Sequence, residues 1–226
     1  MFWSGGKDSS LALHKVKKQH PELDVKFLVT TINQEFKRIS MHGVRESMLE
    51  LQAESIGIPL LKMEVPNVPD NSSYEAKLNE TLASLKESGI THIIFGDIFL
   101  EDLKQYRLNI LKAHDLTGVF PLWKHSTKVL IEEFIDLKFR TITCCISTSS
   151  LTEDWVGKEI DAEFVNNLPE AVDVCGENGE FHTFCFDGPI FKNPIPIQLG
   201  EKKYVPLEIK TADNMKEVGF WFVDIF

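Results

Sequence analysis

Apolar positions in the first half of the chain alternate between strand-like runs and helix-like stripes. In order, these segments lie at residues 25–32, 44–56, 60–65, 74–85, 91–95 and 100–113. Gly57 and Gly89 follow two of the helical stripes, at positions where glycine commonly ends a helix. Strands that recur about every 30 residues with a helix between them predict βαβ units. We therefore expect an α/β fold with a parallel sheet and helices on both of its faces.

The pattern changes near residue 126. Helical spacing over 129–137 leads into an apolar run over 139–147, and a short helix is predicted over 162–168. Beyond Pro169, strand-like segments separated by turns dominate, at residues 180–186, 195–199, 203–209 and 219–226. We therefore predict an α/β domain over residues 1–125 and a smaller α+β lobe over residues 126–226 that packs on it.

Composition and charge exclude several classes of protein. Hydrophobic residues make up 43% of the 226 positions, which is enough for a buried core, and the net charge of −10 argues against coating nucleic acid with a basic surface. The sequence has no apolar run near the ~18 residues of a membrane span, and it predicts no signal peptide. The four cysteines lack C-x-x-C spacing, which argues against a zinc or dithiol site, and we expect a reduced, cytoplasmic protein in which Cys144 and Cys145 are buried in a strand.

Residues 4–10, Ser-Gly-Gly-Lys-Asp-Ser-Ser, give the strongest chemical signal. They lie between an apolar stub and an amphipathic helix, so Gly5 and Gly6 predict a turn whose backbone N–H groups face an anion. Lys7 would add a positive charge, and hydroxyl donors would come from Ser4, Ser9 and Ser10. Asp8 would repel bare phosphate and therefore suggests a bridging Mg²⁺. The alternative is a serine-capped helix after a glycine turn, and the loop differs from a Walker A loop.

This Ser-Gly-Gly-x-Asp-Ser segment resembles the pyrophosphate loop of the N-type ATP pyrophosphatases. These enzymes cleave ATP between its α- and β-phosphates, adenylate an oxygen and release pyrophosphate. The resemblance implies a fold of the HUP type (adenine nucleotide alpha hydrolase) and ATP and Mg²⁺ as cofactors. It also assigns roles within the loop: metal binding to Asp8, and ATP binding to Ser4, Gly5, Gly6, Lys7, Ser9 and Ser10.

A second block, Cys-Gly-Glu-Asn-Gly-Glu-Phe-His-Thr over residues 175–183, resembles the C-terminal signature of the diphthine–ammonia ligase family. Shorter blocks agree with it, at residues 41–43, 57–60, 95–98, 120–123 and 187–191. The resemblance thus spans nearly the whole chain. The family converts diphthine, a modified histidine of elongation factor 2, into diphthamide with ATP and ammonia.

The block departs from the archaeal and eukaryotic pattern, which is closer to Gly-Glu-Gly-Gly-Glu-Tyr-Glu-Thr. Asn178 replaces a glycine, and His182 stands where that pattern has a glutamate. The imidazole resembles a bacterial branch, and bacterial elongation factors carry no diphthamide. We therefore expect ligase chemistry with one of two acceptors, diphthine on elongation factor 2 or an unknown small carboxylic acid.

The acidic block also has a direct chemical interpretation. Glu177 and Glu180 could hold ammonium, position water or bind Mg²⁺, and His182 could act as a base. The alternative is a hairpin turn with solvated acids, since Glu-Asn-Gly-Glu is common turn material. With the resemblance, we predict that these three residues face the acceptor and ammonia.

Other candidates lie outside the two blocks. Gly96 and Asp97 end a parallel strand, where ligands bind, although Asp97 could instead cap the next helix. His42 follows a strand and could reach the nucleotide, the alternative being a surface loop histidine. We interpret Arg107 as part of a solvated helix face, the alternative being contact with an anionic substrate. The same interpretation applies to the basic run His14, Lys15, Lys17 and Lys18.

Together these features predict an amide ligase that takes ATP, free ammonia and a carboxylate, and that binds no membrane. A homodimer is compatible with the sequence. Two rival hypotheses remain. A tRNA thiolase shares the loop but needs a persulfide cysteine and an RNA-binding surface. A nucleotide-binding sensor shares the α/β core but does not turn ATP over.

Overall fold

A computed structural model describes residues 1–39, 42–66, 71–208 and 217–226 of the chain. The helices are α1 (Lys7–Gln19), α2 (Glu46–Ile56), α3 (Asn71–Glu87), α4 (Glu101–Ala113), α5 (Thr127–Asp136) and α6 (Ala162–Asn167). The strands are β1 (Leu28–Asn33), β2 (Arg38–Ile39), β3 (Leu60–Val65), β4 (His92–Ile94), β5 (Thr117–Val119), β6 (Arg140–Ser147), β7 (Phe181–Asp187), β8 (Leu199–Glu208) and β9 (Glu217–Ile225). The expectation of a mixed α/β fold is confirmed.

Parallel strands form the first half of the molecule. β1 pairs with β3 in parallel over six residues, and β4 pairs with β5 in parallel over three. The first three residues lie between these pairs: the N–H of Phe2 donates to the carbonyl of Ile94 at 3.0 Å, and that of Trp3 to Val29 at 2.7 Å. Short as it is, this N-terminal segment therefore links the two parallel pairs by backbone hydrogen bonds.

Neighbouring residues of β1 belong to two different hydrophobic clusters. Leu28 shares one cluster with residues of α1 and α2, among them Leu11 and Met48. Val29 shares the second with Leu82 of α3, Leu111 of α4 and Ile93 of β4. Alternation along a strand sends successive side chains to opposite faces, so α1 and α2 pack on different β1 side chains from α3 and α4.

The second sheet is antiparallel and has the order β7-β6-β9-β8. The predicted strand over 195–199 is wrong: residues 195–198, all within the described chain, form a loop interrupted by Pro196, and β8 begins at Leu199. The predicted strand over 203–209 corresponds to β8, except that residue 209 lies outside the described residues. β1 also begins at Leu28, three residues later than predicted.

The two halves share one core. The larger hydrophobic cluster contains Leu13 from α1 together with Phe134 from α5. Lys15 donates to the carboxylate of Glu133 at 2.8 Å and is 6% exposed, so its assignment to a solvated helix face is wrong. An amphipathic pattern places Lys15 on its own helix but cannot show that α5 covers it.

Predictions from the sequence also concern the cysteines and the apolar character of the helices. The four cysteines are free thiols and all are buried, as expected for Cys144 and Cys145. None of the helices in the described part of the chain combines the length and the apolar character that crossing a bilayer requires.

Candidate active site

The glycine loop, residues 4–10, leads from Trp3 into α1, whose first residue is Lys7. Gly5 adopts a left-handed φ of +77°, and a Cβ at this position would lie 2.6 Å from Cδ2 of Leu49. A side chain would therefore be both strained and crowded here. The sequence pattern Gly-Gly thus marks a backbone turn that packs directly on α2.

The side-chain amide of Gln52 fixes this turn. Its Nε2 donates to the carbonyl oxygens of Gly5 at 2.8 Å and Cys185 at 2.6 Å, and its Oε1 accepts the indole N–H of Trp3 at 2.8 Å. Gln52 is fully buried, so these bonds form in an environment where losing them is costly. Sequence reasoning missed Gln52 because a single glutamine on a helix carries no pattern.

β7, from the second half of the chain, lies against the glycine loop. The N–H of Lys7 donates to Oγ1 of Thr183 at 3.0 Å, and the N–H of Cys185 donates to the carbonyl of Gly5 at 2.8 Å. A Cβ on Gly6 would lie 2.9 Å from the carbonyl oxygen of Thr183. One backbone donor expected to face an anion is therefore bonded to Thr183 instead.

The serine hydroxyls of the loop are also engaged within the protein. Those of Ser9 and Ser10 both donate to the carbonyl oxygen of Gly6 at 2.9 Å, and Ser4 Oγ lies 3.3 Å from Ser9 Oγ. Ser10 is completely buried, whereas Ser4 retains partial exposure. Ser4 and Ser9 are thus the loop hydroxyls that line the cleft.

Lys7 and Asp8 form an ion pair at the start of α1. Nζ of Lys7 lies 2.8 and 2.7 Å from the two carboxylate oxygens of Asp8, and 5.7 Å from the centre of the Phe181 ring. Burial alone would lower the pKa of Lys7, but Asp8 and Glu177 outweigh burial and raise it. The ammonium group is therefore held charged, while the Asp8 side chain keeps 31% of its exposure.

Gly96 and Asp97 follow β4 and border the glycine loop. A Cβ on Gly96 would lie 3.2 Å from the carbonyl carbon of Asp8 and from the N of Ser9, so glycine permits this close approach. α4 begins at Glu101, which excludes the alternative that Asp97 caps it. Burial raises the pKa of Asp97, although Arg107 opposes that shift.

Arg107 of α4 extends towards the cleft and is not on a solvated face. Its Nε lies 2.7 Å from Oδ2 of Asp97, its guanidinium lies 4.2 Å from the centre of the Phe95 ring, and its side chain is 25% exposed. The sequence interpretation was wrong because helical periodicity does not show that the residues after β4 supply both a carboxylate and an aromatic face.

The acidic turn, residues 173–180, uses its two glutamates differently. The Glu180 carboxylate accepts from the backbone N–H of Asp173 at 3.0 Å and from that of Asn178 at 2.8 Å, and also from the Asn178 amide. Burial opposes ionisation of Glu180, but these hydrogen bonds lower its pKa overall. Glu180 therefore holds the turn together, and its position is 4% exposed.

Glu177 faces the cleft with a perturbed carboxyl group. Burial, followed by the nearby charge of Asp8, raises its pKa to about 7, while Lys7 opposes the shift. A carboxyl with this pKa exchanges a proton near neutral pH, which is the property required of a general acid or base. The sequence nominated both glutamates, and the structure distinguishes them by their surroundings.

His42 and His182 lie together above the glycine loop. Their ring centres are 4.6 Å apart, and Nδ1 of His42 lies 3.3 Å from the carbonyl oxygen of Thr183. Burial lowers the pKa of His42 to about 3 and that of His182 to about 4, with further contributions from His182 and from Lys7, respectively. Both imidazoles are therefore neutral at pH 7.

A cleft of about 900 Å³ connects these groups. The predicted site residues on its surface are Ser4, Lys7, Asp8, Ser9, His42, Gly96, Asp97, Glu177 and His182, and the cysteine beside them is Cys175. Gly5, Gly6, Ser10 and Glu180 stand behind this surface and support it. The volume lies in the upper part of the range for small-molecule sites, so a nucleotide and a second ligand are both compatible with it.

The cleft could supply part of the coordination shell of a hard cation such as Mg²⁺. Asp8 and Glu177 offer carboxylate oxygens, and Oδ2 of Asp97, although close to Arg107, makes no hydrogen bond of normal geometry. Among the residues that the structure describes, no three His, Cys, Asp or Glu side chains are placed to hold a metal ion by themselves. A bound Mg²⁺ would therefore need phosphate or water oxygens to complete its shell.

Sequence models of one protein family match both halves of the chain. The sequence model of the diphthamide synthase N-terminal domain matches residues 1–114, and that of the C-terminal domain matches residues 126–215. Curated relatives named diphthine–ammonia ligase are 28% identical in Bos taurus, over 88% of this chain and 82% of the relative, and 26% identical in Homo sapiens, over 96% and 87%. The Danio rerio relative of that name is 26% identical over 78% and 73%.

Proposed function

The chain belongs to the diphthamide synthase family, and from this premise we propose that it is an ATP-dependent ligase that joins ammonia to a carboxylate. ATP is cleaved between its α- and β-phosphates, the acceptor carboxylate is adenylated, and ammonia displaces AMP. One observation carries the proposal: the Lys7–Asp8 pair and the Glu177 carboxyl face the same cleft. The pair suits a phosphate chain with its metal, and Glu177 suits proton transfer.

The fold that we propose for this activity is of the HUP type, with helices on both faces of one parallel sheet. Residues 1–125 would form the ATP-binding domain, and residues 126–226 the α+β lobe that receives the acceptor. Two observations support this division: the N-terminal segment links the two parallel pairs, and β1 contributes to two separate helix-packed clusters.

In the first step, the acceptor oxygen attacks the α-phosphorus and pyrophosphate leaves. Lys7 stabilises the charge on the leaving pyrophosphate, because its ammonium is fixed and charged before the reaction begins. Ser4 and Ser9 line the same surface, and Gly96 lets the β4 edge approach the loop closely enough to enclose the phosphates. Mg²⁺, held by Asp8 and phosphate oxygens, would offset further negative charge.

In the second step, ammonia attacks the acyl carbon, the bond from that carbon to the AMP oxygen breaks, and the nitrogen loses a proton. Glu177 accepts this proton. Its pKa of about 7 leaves a large fraction ionised at neutral pH and still makes it a competent base. His42 and His182 are neutral and offer hydrogen bonds to the nucleotide and the acceptor without adding charge.

The acceptor is a carboxylate of one of two kinds. The relatives are named for diphthine, so diphthine on elongation factor 2 is one proposed acceptor. The other is a small carboxylic acid, because His182 stands where the archaeal and eukaryotic pattern has a glutamate. In both cases free ammonia is the proposed nitrogen donor.

Product analysis tests the proposal. The protein is incubated with ATP, Mg²⁺, ammonium and either diphthine-bearing elongation factor 2 or fractions of a metabolite extract, and products are followed by ³¹P NMR. We expect AMP and pyrophosphate that depend on an acceptor fraction. ADP with phosphate would contradict the proposal, and tight ATP binding without cleavage in any mixture would favour the sensor hypothesis.

The thiolase hypothesis makes a separate demand on the cleft. It requires a reactive cysteine, and Cys175 is the cysteine that lines the described part of the cleft. Burial raises the pKa of Cys175, which keeps its thiol protonated and makes it a poor nucleophile. Retention of tRNA at physiological salt would be needed to reopen this hypothesis.

A further inference from the structure

The turn over residues 42–45, which directly precedes α2, carries His42 into the cleft. Backbone hydrogen bonds hold this turn beside β2, from Ile39 N–H to the Val44 carbonyl at 2.9 Å and from Glu46 N–H to the Lys37 carbonyl at 2.9 Å. They do not by themselves determine how the part of the turn that holds His42 is oriented.

The carboxylate of Asp224, on the antiparallel sheet, binds one arginine side chain of β2 and one of this turn. Oδ1 of Asp224, on β9, accepts from Nη2 of Arg38 at 2.8 Å and from Nε of Arg45 at 3.0 Å. The guanidinium of Arg38 reaches further, because its Nη1 donates to the carbonyl oxygen of Gly43 at 2.6 Å. Asp224 therefore connects, through Arg38, to the residue that directly follows His42.

β9 also supports the turn by packing. Gly43 has φ +69°, and a Cβ there would lie 2.8 Å from the ring of Phe222, two residues from Asp224. β9 pairs with β6, which pairs in turn with β7, the strand of His182 and Thr183. The sheet that provides the contacts of the His42 ring therefore also holds the backbone beside it.

We propose that Asp224 is a positioning residue that holds His42 against the glycine loop. Asp224 lies on a different strand from every residue assigned to the cleft, and it acts through Arg38 and the Gly43 carbonyl. Its effect on ATP rests on the proposed function, in which His42 contacts the nucleotide. Its effect on the His42 ring does not depend on that function.

The first test follows the His42 imidazole directly by NMR of histidine-labelled protein between pH 5 and 8, with His42→Gln to assign the signal. Burial and the neighbouring His182 and Lys7 keep the wild-type ring neutral in this range. In Asp224→Asn the released ring is exposed, so we expect it to titrate with a pKa of about 6.5. Glu159→Gln, which removes an exposed carboxylate paired with Arg140, should leave the signal unchanged.

Two further variants keep the test decisive if Asp224→Asn does not fold. Arg38 contacts both Asp224 and the Gly43 carbonyl, whereas Arg45 contacts Asp224 and the ring of Phe226. Arg38→Gln should therefore release the His42 ring more than Arg45→Gln does, and Asp224→Glu should restore part of the wild-type behaviour. A His42 ring that stays neutral in folded Asp224→Asn, or in folded Arg38→Gln, would overturn the proposal.

The second test measures ATP affinity in a double-mutant cycle. Asp224→Asn should weaken ATP binding about fivefold, as expected when one modest contact is lost. The same change in a His42→Ala background should have no further effect, because Asp224 acts through His42. Additive effects would overturn the proposal. If the wild-type protein does not bind ATP, the proposed function fails, while the titration still decides the role of Asp224.

Discussion

The two sides of the cleft hold their charges in different ways. On the side of the glycine loop, every cation has a carboxylate partner among the described residues: Lys7 is paired with Asp8, and Arg107 with Asp97. On the side of the acidic turn, His182 is neutral and the Glu177 carboxyl is balanced between two protonation states near pH 7. Fixed charges suit binding and charge stabilisation, whereas a carboxyl with a pKa near 7 suits proton transfer.

The difference assigns the two chemical steps to different sides. Cleavage of ATP needs a preorganised site for pyrophosphate, because charge that is already in place requires no rearrangement during the reaction. Amination needs a group that can take a proton from nitrogen. We therefore predict that substitutions on the two sides affect different steps.

The largest effect is expected at the glycine loop. Lys7→Ala or Asp8→Ala should reduce pyrophosphate release by about a thousandfold or more, because the first removes the cation that stabilises the leaving group and the second removes a ligand of the Mg²⁺ that would do so. The matched control is Lys15→Ala, which removes a second buried and paired lysine two turns further along α1. Rates of pyrophosphate release measured side by side should separate the two lysines, and equal losses would remove the special role of Lys7.

The acidic turn should give a smaller effect that is split between its two glutamates. Glu177→Gln removes the proton acceptor and should slow amide formation about a hundredfold, with loss of the rate increase between about pH 6 and 8. Glu180→Gln weakens the hydrogen bonds that hold the turn. This variant should mainly lower the melting temperature. Thermal melts and pH–rate profiles of both variants test the assignment. A loss of the pH dependence in Glu180→Gln together with a lower melting temperature in Glu177→Gln would contradict it.

The smallest effect is on stability as a function of pH. His42 and His182 are neutral in the folded chain, with pKa values of about 3 and about 4, and return to their ordinary pKa of about 6.5 on unfolding. Unfolding at pH 5–6 therefore takes up about one proton at each histidine. Because the unfolded chain binds more protons, each histidine lowers the free energy of unfolding as the pH falls from 6.5. Glu177, with its raised pKa of about 7, releases one proton on unfolding and opposes this trend.

Chemical denaturation at several pH values measures this slope. His182→Gln should reduce the slope between pH 5 and 6 by about 1.4 kcal/mol per pH unit, the contribution of one proton. Lys17, exposed near the end of α1, offers a control position away from the cleft, where Lys17→Gln should not change the slope. An unchanged slope in His182→Gln would mean that its imidazole is solvated.

The features that could be predicted from the sequence are those written in consecutive residues. The glycine loop, the end of α2 at Gly57 and the acidic turn each depend on a short segment, and their positions were predicted closely. Gln52, Arg107 and Asp224 were missed or misinterpreted because their partners lie 10 to 186 residues away in the sequence. Periodicity describes one element at a time and cannot report which neighbour covers it.

The distinction between Glu177 and Glu180 shows the same limit at the site itself. Both were nominated from one block, and both carry the same side chain. Their roles differ because Glu180 folds back onto the backbone of its own turn, whereas Glu177 faces Asp8 across the cleft. That difference arises from three-dimensional placement and could not be derived from spacing.

The division of steps between the two sides is tested most directly by isotope exchange between pyrophosphate and ATP without ammonium. The assay uses the acceptor fraction that supports AMP release, and it reports only adenylation. We expect exchange in the wild-type protein and in Glu177→Gln, and loss of exchange in Lys7→Ala. Equal loss in Glu177→Gln and Lys7→Ala would contradict this division, because the acidic turn would then be required for the first step.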